Sequence, residues 1–209
     1  MKPFKPSHPD VDLLASRVDE LRQGLKSRNA QDVAAQAGVE LFAGANELRF
    51  AFWDVGLRVH LPEFFVCNMG GDPLPSFTQA MVLFYLATAD GTPLTGKWVS
   101  FAELPDGRMY NQAFQGYTGD ALAKAFGLDI AKFKRACERA GGAAVAIGGE
   151  AYLFRVFPRL PMVVNYWQGD EDFPSTCQLL FDASVSHYLP TDACAILGSS
   201  LTRRLVKSA

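Results

Sequence analysis

Near the N-terminus, apolar side chains recur every three or four positions. Val11, Leu14, Val18, Leu21 and Leu25 form one stripe, which predicts a helix. Ser7 can cap it, Pro9 suits its first turn, and Asn29 stops it. A short helix is expected over 30–37, ending at Gly38. The period then changes to two. Leu48, Phe50 and Phe52 share one face of a strand, and Leu57, Val59 and Leu61 share one face of the next. Pairing Phe52 with Leu57, Phe50 with Val59 and Leu48 with Leu61 predicts a hairpin closed by the loop Trp53–Gly56.

Ser76 with Gln79 three residues later has the capping-box spacing, and a buried helix should follow to Ala89. A short strand is expected within 96–110, then a turn at Pro105-Asp106-Gly107. Helices are expected near 118–126 and 129–140, the second closed by Gly141-Gly142. The C-terminal third reads as sheet. Strands over 151–157 and 162–168 flank Pro158-Arg159-Leu160-Pro161, and both are apolar on both faces, as central strands are. A third strand runs from Cys177 to Val185. The last helix begins at Pro190-Thr191 with Cys194, Leu197, Leu201 and Leu205 inward.

Because the strands arrive as hairpins, the expected fold is α+β, an antiparallel sheet covered by helices. Residues 1–38 would form a helical segment packing on one domain, 39–209. A chain of 209 residues buries roughly 70% of its unfolded surface. With 49% hydrophobic residues it has the apolar surface to fold. Net charge is −2 and no basic run exceeds Arg203–Arg204, so a nucleic-acid partner is not expected. The longest membrane-like run, 80–89, falls short of the roughly 20 residues that span a bilayer. With no apolar stretch behind the basic start, the expected location is the cytoplasm, without membrane association.

The segment Leu180–Leu189 places Asp182, Ser184, Ser186 and His187 together, but a strand sends His187 to the opposite face from the other three. No G-x-S-x-G elbow accompanies them. The structural alternative is that Asp182 or Ser186 caps a turn before the last helix. Asp170-Glu171-Asp172 lacks the alternating ligands and central Gly of an EF-hand and reads as a solvated loop. Cys67, Cys137, Cys177 and Cys194 form no C-x-x-C. A metal site would need distant residues such as His60, Cys67, Cys177 and His187 to meet, so none is assigned. Gly141-Gly142 and Gly148-Gly149 lack the phosphate-loop pattern and read as helix end and strand start. Trp53, Trp98, Tyr110, Tyr152, Tyr166, Trp167 and Tyr188 fall near strand ends or loops. There they can either wall a pocket or pack the core.

Several segments together resemble an uncharacterised family, domain of unknown function 3786. They are Gly96-Lys97-Trp98-Val99-Ser100-Phe101 with Glu103-Leu104-Pro105, then Leu160-Pro161-Met162, then Trp167-Gln168-Gly169-Asp170-Glu171-Asp172-Phe173-Pro174. Leu180-Phe181-Asp182-Ala183-Ser184 and His187-Tyr188-Leu189-Pro190 complete the set, and the likeness spans 39–201. The resemblance implies an anaerobic bacterial or archaeal source. Some similar proteins carry a cysteine-rich iron–sulfur segment that is not in this sequence. By that association it implies an accessory protein of anaerobic redox metabolism that binds a cofactor or small molecule, such as a corrinoid or other tetrapyrrole, beside a redox-enzyme partner. Trp98, Tyr166, Trp167 and Tyr188 would then wall the pocket, with Lys97, Asp170, Asp182 and His187 as polar contacts. The alternatives are a hydrolase-type enzyme using Asp182 and His187, or a protein-interaction module. The cofactor's identity is left open.

Overall fold

A computed structural model describes residues 8–209, and side chains from residue 16 onward. The chain divides into two compact units, Met1–Gly91 and Thr92–Ala209. Each is α+β, and each has its own antiparallel sheet. Among the described residues no helix is long and apolar enough to cross a membrane.

In the first unit, α1 (His8–Lys26) and α2 (Ala30–Ala37) precede β1 (Glu40–Phe42), β2 (Glu47–Phe52), β3 (Val55–His60), β4 (Phe65–Asn68) and α3 (Ser76–Thr88). The expected cap at Ser7 lies outside the described residues, as do the side chains of Val11 and Leu14. Val18 and Leu25 are buried, and Leu21 is half-buried. Asn29 serves α2, not the end of α1: its side chain accepts from the Gln31 and Asp32 N–H groups. Gly38 closes α2 in the left-handed conformation. The sheet runs in chain order, β1-β2-β3-β4.

The β2–β3 hairpin keeps the expected faces in a different register. Phe52 opposes Val55, Phe50 opposes Leu57 and Leu48 opposes Val59. The loop is therefore Trp53-Asp54, with φ of 52° and 64°, and Gly56 lies in β3. A shift of two residues returns every side chain to its original face, so apolar alternation cannot distinguish the two registers. The tight turn needs φ > 0 at both central positions. Here a buried Trp and an Asp adopt it. At α3 the helix is as expected, but the capping box is not formed. Gln79 Nε2 instead donates to the Leu74 carbonyl at 2.6 Å, and Ser76 makes no cap bond.

The opposite face of this sheet is polar. Glu47 is 2% exposed and lies 2.5 Å from Arg49, 3.7 Å from Arg58 and 3.6 Å from His60. Burial of that carboxylate is tolerable because the Arg49 and Arg58 guanidinium groups lie beside it. Arg58 and His60 do share this face, as the alternation requires.

In the second unit, β5 (Trp98–Ser100) is followed by α4 (Gly107–Tyr117), α5 (Gly119–Phe126) and α6 (Ile130–Arg139). Then come β6 (Ala143–Val145), β7 (Glu150–Phe157), β8 (Leu160–Trp167), β9 (Thr176–Asp182) and α7 (Thr191–Lys207). The order β5-β9-β8-β7-β6 makes β8 central, with β7 and β9 beside it. The β7–β8 loop is the pair Pro158-Arg159, shorter than the four residues expected. The β9 strand stops at Asp182 instead of Val185. Strand β6 and helix α4 were not expected from the pattern.

One sheet face packs on α4–α7 through aromatic rings. Phe101 stacks on Phe114 with centroids 4.1 Å apart, and Phe181 packs against both. Phe133 stacks on Tyr166 at 4.6 Å and meets Phe126 edge-on. Such pairs add to the large area that aromatic rings remove from water. Cys194, Leu197, Leu201 and Leu205 face inward from α7 as the spacing predicts.

Candidate functional site

The eight residues expected to form a site fall into separate environments. Tyr166 and Tyr188 are fully buried. The Tyr166 hydroxyl donates to the Gly127 carbonyl at 2.6 Å, and that of Tyr188 donates to the Thr92 carbonyl. Both act as core residues with a satisfied polar tip. Trp167 is 41% exposed at the end of β8, and Lys97 and His187 are exposed. Asp170 organises its own loop: Oδ1 accepts from the Asp172 and Phe173 N–H groups, both at 2.9 Å. This is the solvated turn read from the sequence, and it borders a hollow of about 590 Å³ beside Lys124.

Asp182 is 2% exposed. It accepts from Thr95 N–H and Oγ1, Gly96 N–H, and Ser184 N–H and Oγ, at 2.7 to 3.0 Å. Burial pushes the carboxyl's pKa up, but the donors, led by the Ser184 and Thr95 N–H groups, outweigh it and hold the pKa below its usual value. Both oxygens are committed to backbone and hydroxyl donors, so Asp182 is a turn cap, the structural alternative weighed above. A general base for a hydrolase would need a free oxygen. Trp98 lies directly across the sheet from Asp182. The two border a shallow hollow of about 210 Å³ together with Arg155, which sits at a β-bulge in β7. These two are the predicted residues that the fold brings together.

An apolar pocket lies elsewhere in the same unit. It holds about 560 Å³ between the segment Phe101–Tyr117 and α7, within the size range of small-molecule sites. Its construction starts at Ser100. There Glu103 accepts from the Ser100 N–H and hydroxyl, each at 2.7 Å, winding residues 101–103 into a single 3-10 turn. Those two bonds hold the Glu103 carboxyl below its usual pKa. The turn sends Phe101 into the core against Phe114. Asp106 then takes a left-handed φ of 59° and starts α4.

Asp106, Tyr110 and Tyr117 recur on one side of α4 and form the first wall. Asp192, Ala195, Ile196 and Ser199 form a matching stripe on α7. Thr191 ties the walls together, its hydroxyl donating to the Pro105 carbonyl at 2.7 Å. Tyr110 and Tyr117 have ring centroids 6.3 Å apart. Burial, reinforced by Tyr110 nearby, pushes the Tyr117 phenol up to about 12, so it remains a neutral donor at physiological pH.

None of the eight expected residues lines this pocket. Tyr110 was among the aromatics that could wall one. What was missed is α4, whose outward stripe has aromatic or acidic residues at 106, 110 and 117.

The four cysteines are free and buried. Burial raises each thiol, most strongly Cys137, Cys177 and Cys194. Among the described residues no three His, Cys, Asp or Glu side chains gather to hold a metal ion. In the folded protein at pH 8, none of the four thiols should react with a disulfide reagent within minutes, and all four should react in denaturant. Rapid reaction of one in the folded state would contradict its burial.

The fold and its site define an α+β protein whose two units each carry an antiparallel sheet, with an aromatic-walled pocket beside the second. The chain belongs to the family described as Domain of unknown function (DUF3786), whose model matches residues 29–204. No curated protein and no solved structure matches it.

Proposed function

We propose that the chain is a small-molecule-binding protein, and that its ligand is a largely apolar, planar molecule held between α4 and α7. The observation that supports this reading is the pocket of about 560 Å³ with Phe101, Tyr110 and Tyr117 in its walls. Met109 and Tyr110, 93% and 51% exposed, leave apolar surface in water at this end of the unit. A corrinoid or other tetrapyrrole, the ligand class suggested by the family resemblance, is one planar candidate. The lining offers it no His, Cys or Met as an axial ligand. An accessory role beside a redox enzyme fits a protein that holds such a ligand and passes it on.

The test is native mass spectrometry with a visible spectrum on protein purified without oxygen from its own host, in wild type and Ile196→Arg. Ile196 lines the pocket and is 40% exposed, so Arg can be accommodated there with stability unchanged to within about 0.5 kcal/mol. The expected result is a co-purifying mass that the variant loses, with at least ten-fold weaker rebinding. Equal retention by the two proteins would place the ligand elsewhere.

A further inference from the structure

We infer that the ligand of the α4–α7 pocket carries a positive charge, so that the site selects an organic cation with a flat apolar body. This rests on the pocket reading above and adds the ligand's chemical class. Two carboxylates, Asp106 and Asp192, stand in an otherwise aromatic and aliphatic lining that contains no Lys, Arg or His.

The two carboxylates differ in their commitments. Asp192 lies in the first turn of α7, where a negative charge suits the helix dipole, and its Oδ1 accepts from the Ala193 N–H at 2.8 Å. Asp106 precedes α4 but makes no cap bond through its side chain. Its backbone is left-handed, with φ of 59°. An L-residue other than Asn or Asp meets a steric cost there. Its carboxylate therefore stands at the rim of the pocket without the helical role that accounts for Asp192.

The rings add to the same preference. Aromatic faces carry negative electrostatic potential and attract ammonium or guanidinium groups. Phe101 and Tyr110 have centroids 6.4 Å apart, and Tyr117 lies 6.3 Å from Tyr110. A cation here would meet aromatic rings and a carboxylate together. An anion would lose hydration and face two like charges with no compensating side chain. A neutral molecule would gain the apolar burial alone.

The experiment uses the full chain and three probes of nearly one shape: 1-naphthylmethylammonium, 1-naphthylmethanol and 1-naphthoate. Affinities are measured by calorimetry with wild type, Asp106→Asn, Asp192→Asn and Ile196→Arg. The cation should bind roughly ten-fold tighter than the alcohol, and the carboxylate more weakly than both. Asp106→Asn should remove most of the cation's advantage over the alcohol, with a smaller effect from Asp192→Asn. Thermal melts of each variant show that it is folded. If the alcohol binds as well as the cation, or the cation is indifferent to both Asp substitutions, the charge inference is overturned while the pocket reading stands. If no probe binds, or Ile196→Arg binds all three as wild type does, the pocket reading itself fails.

Discussion

Asp182→Ala is expected to destabilise the second unit by about 3 kcal/mol, because two of the hydrogen-bond donors the carboxylate holds are buried and have no substitute acceptor. Ser184 is 1% exposed, and both its N–H and its hydroxyl donate to Asp182 Oδ1. Alanine leaves both orphaned, at about 1–3 kcal/mol each. The Thr95 and Gly96 donors are exposed and can turn to water, so their loss costs less, but the segment leading into β5 is released from the end of β9. Thermal unfolding should fall by roughly 10 °C. The effect should also depend on pH. The folded-state pKa of Asp182 is depressed, so its charge contributes stability above the ordinary carboxylate range. That contribution disappears as pH falls through the folded value. The stability gap between wild type and Asp182→Asn should therefore be widest near pH 7 and shrink below about pH 4. Urea titrations at both ends of that range provide the check. Equal stabilities at pH 7 would mean that a neutral amide serves these donors as well as the carboxylate does.

Asp182 also marks how far the sequence could be read. A strand ending in Asp-Ala-Ser and followed by a proline-led helix suggests a turn cap, and the cap is there. That its partners are Thr95 and Gly96 depends on β5 pairing with β9 across a long stretch of chain, which no local spacing encodes. The α+β class and the central place of β8 were legible because period and two-sided apolarity follow directly from burial. The β2–β3 register was not, because two-residue shifts conserve the faces and the turn residues Trp53 and Asp54 break the glycine rule. Helix α4 was hidden by its composition. Its buried residues are Gly107 and Phe114, too few to mark a repeating apolar stripe. Without that helix the pocket it walls could not be read. Tyr166 and Tyr188 could be read as pocket walls because a ring's chemistry does not reveal whether its hydroxyl meets a ligand or a backbone carbonyl.

Gly107→Ala is expected to cost about 2–3 kcal/mol, the price of forcing volume into a packed contact. In the turn Pro105-Asp106-Gly107, Asp106 takes the positive φ, and Gly107 is needed for close approach. A Cβ at 107 would press into the Phe101 carbonyl oxygen, with the carbonyl carbon at 3.1 Å and Leu104 Cβ at 3.4 Å. The obstacle is backbone, so no rotamer change can relieve it, and the turn from Phe101 to α4 must open. Gly116 on the same helix is the control. A Cβ there meets nothing within 4 Å, so Gly116→Ala should stabilise by about 0.5–1 kcal/mol through helix propensity. Opposite signs for the two substitutions in denaturant titrations are the expected result. Equal effects would show that the turn has slack. Since the same turn sets Phe101 and Asp106 in the pocket wall, Gly107→Ala should also weaken binding of the naphthyl cation, whereas Gly116→Ala should leave it unchanged. A Gly107→Ala protein that binds normally despite lowered stability would show that the turn governs the fold but not the site.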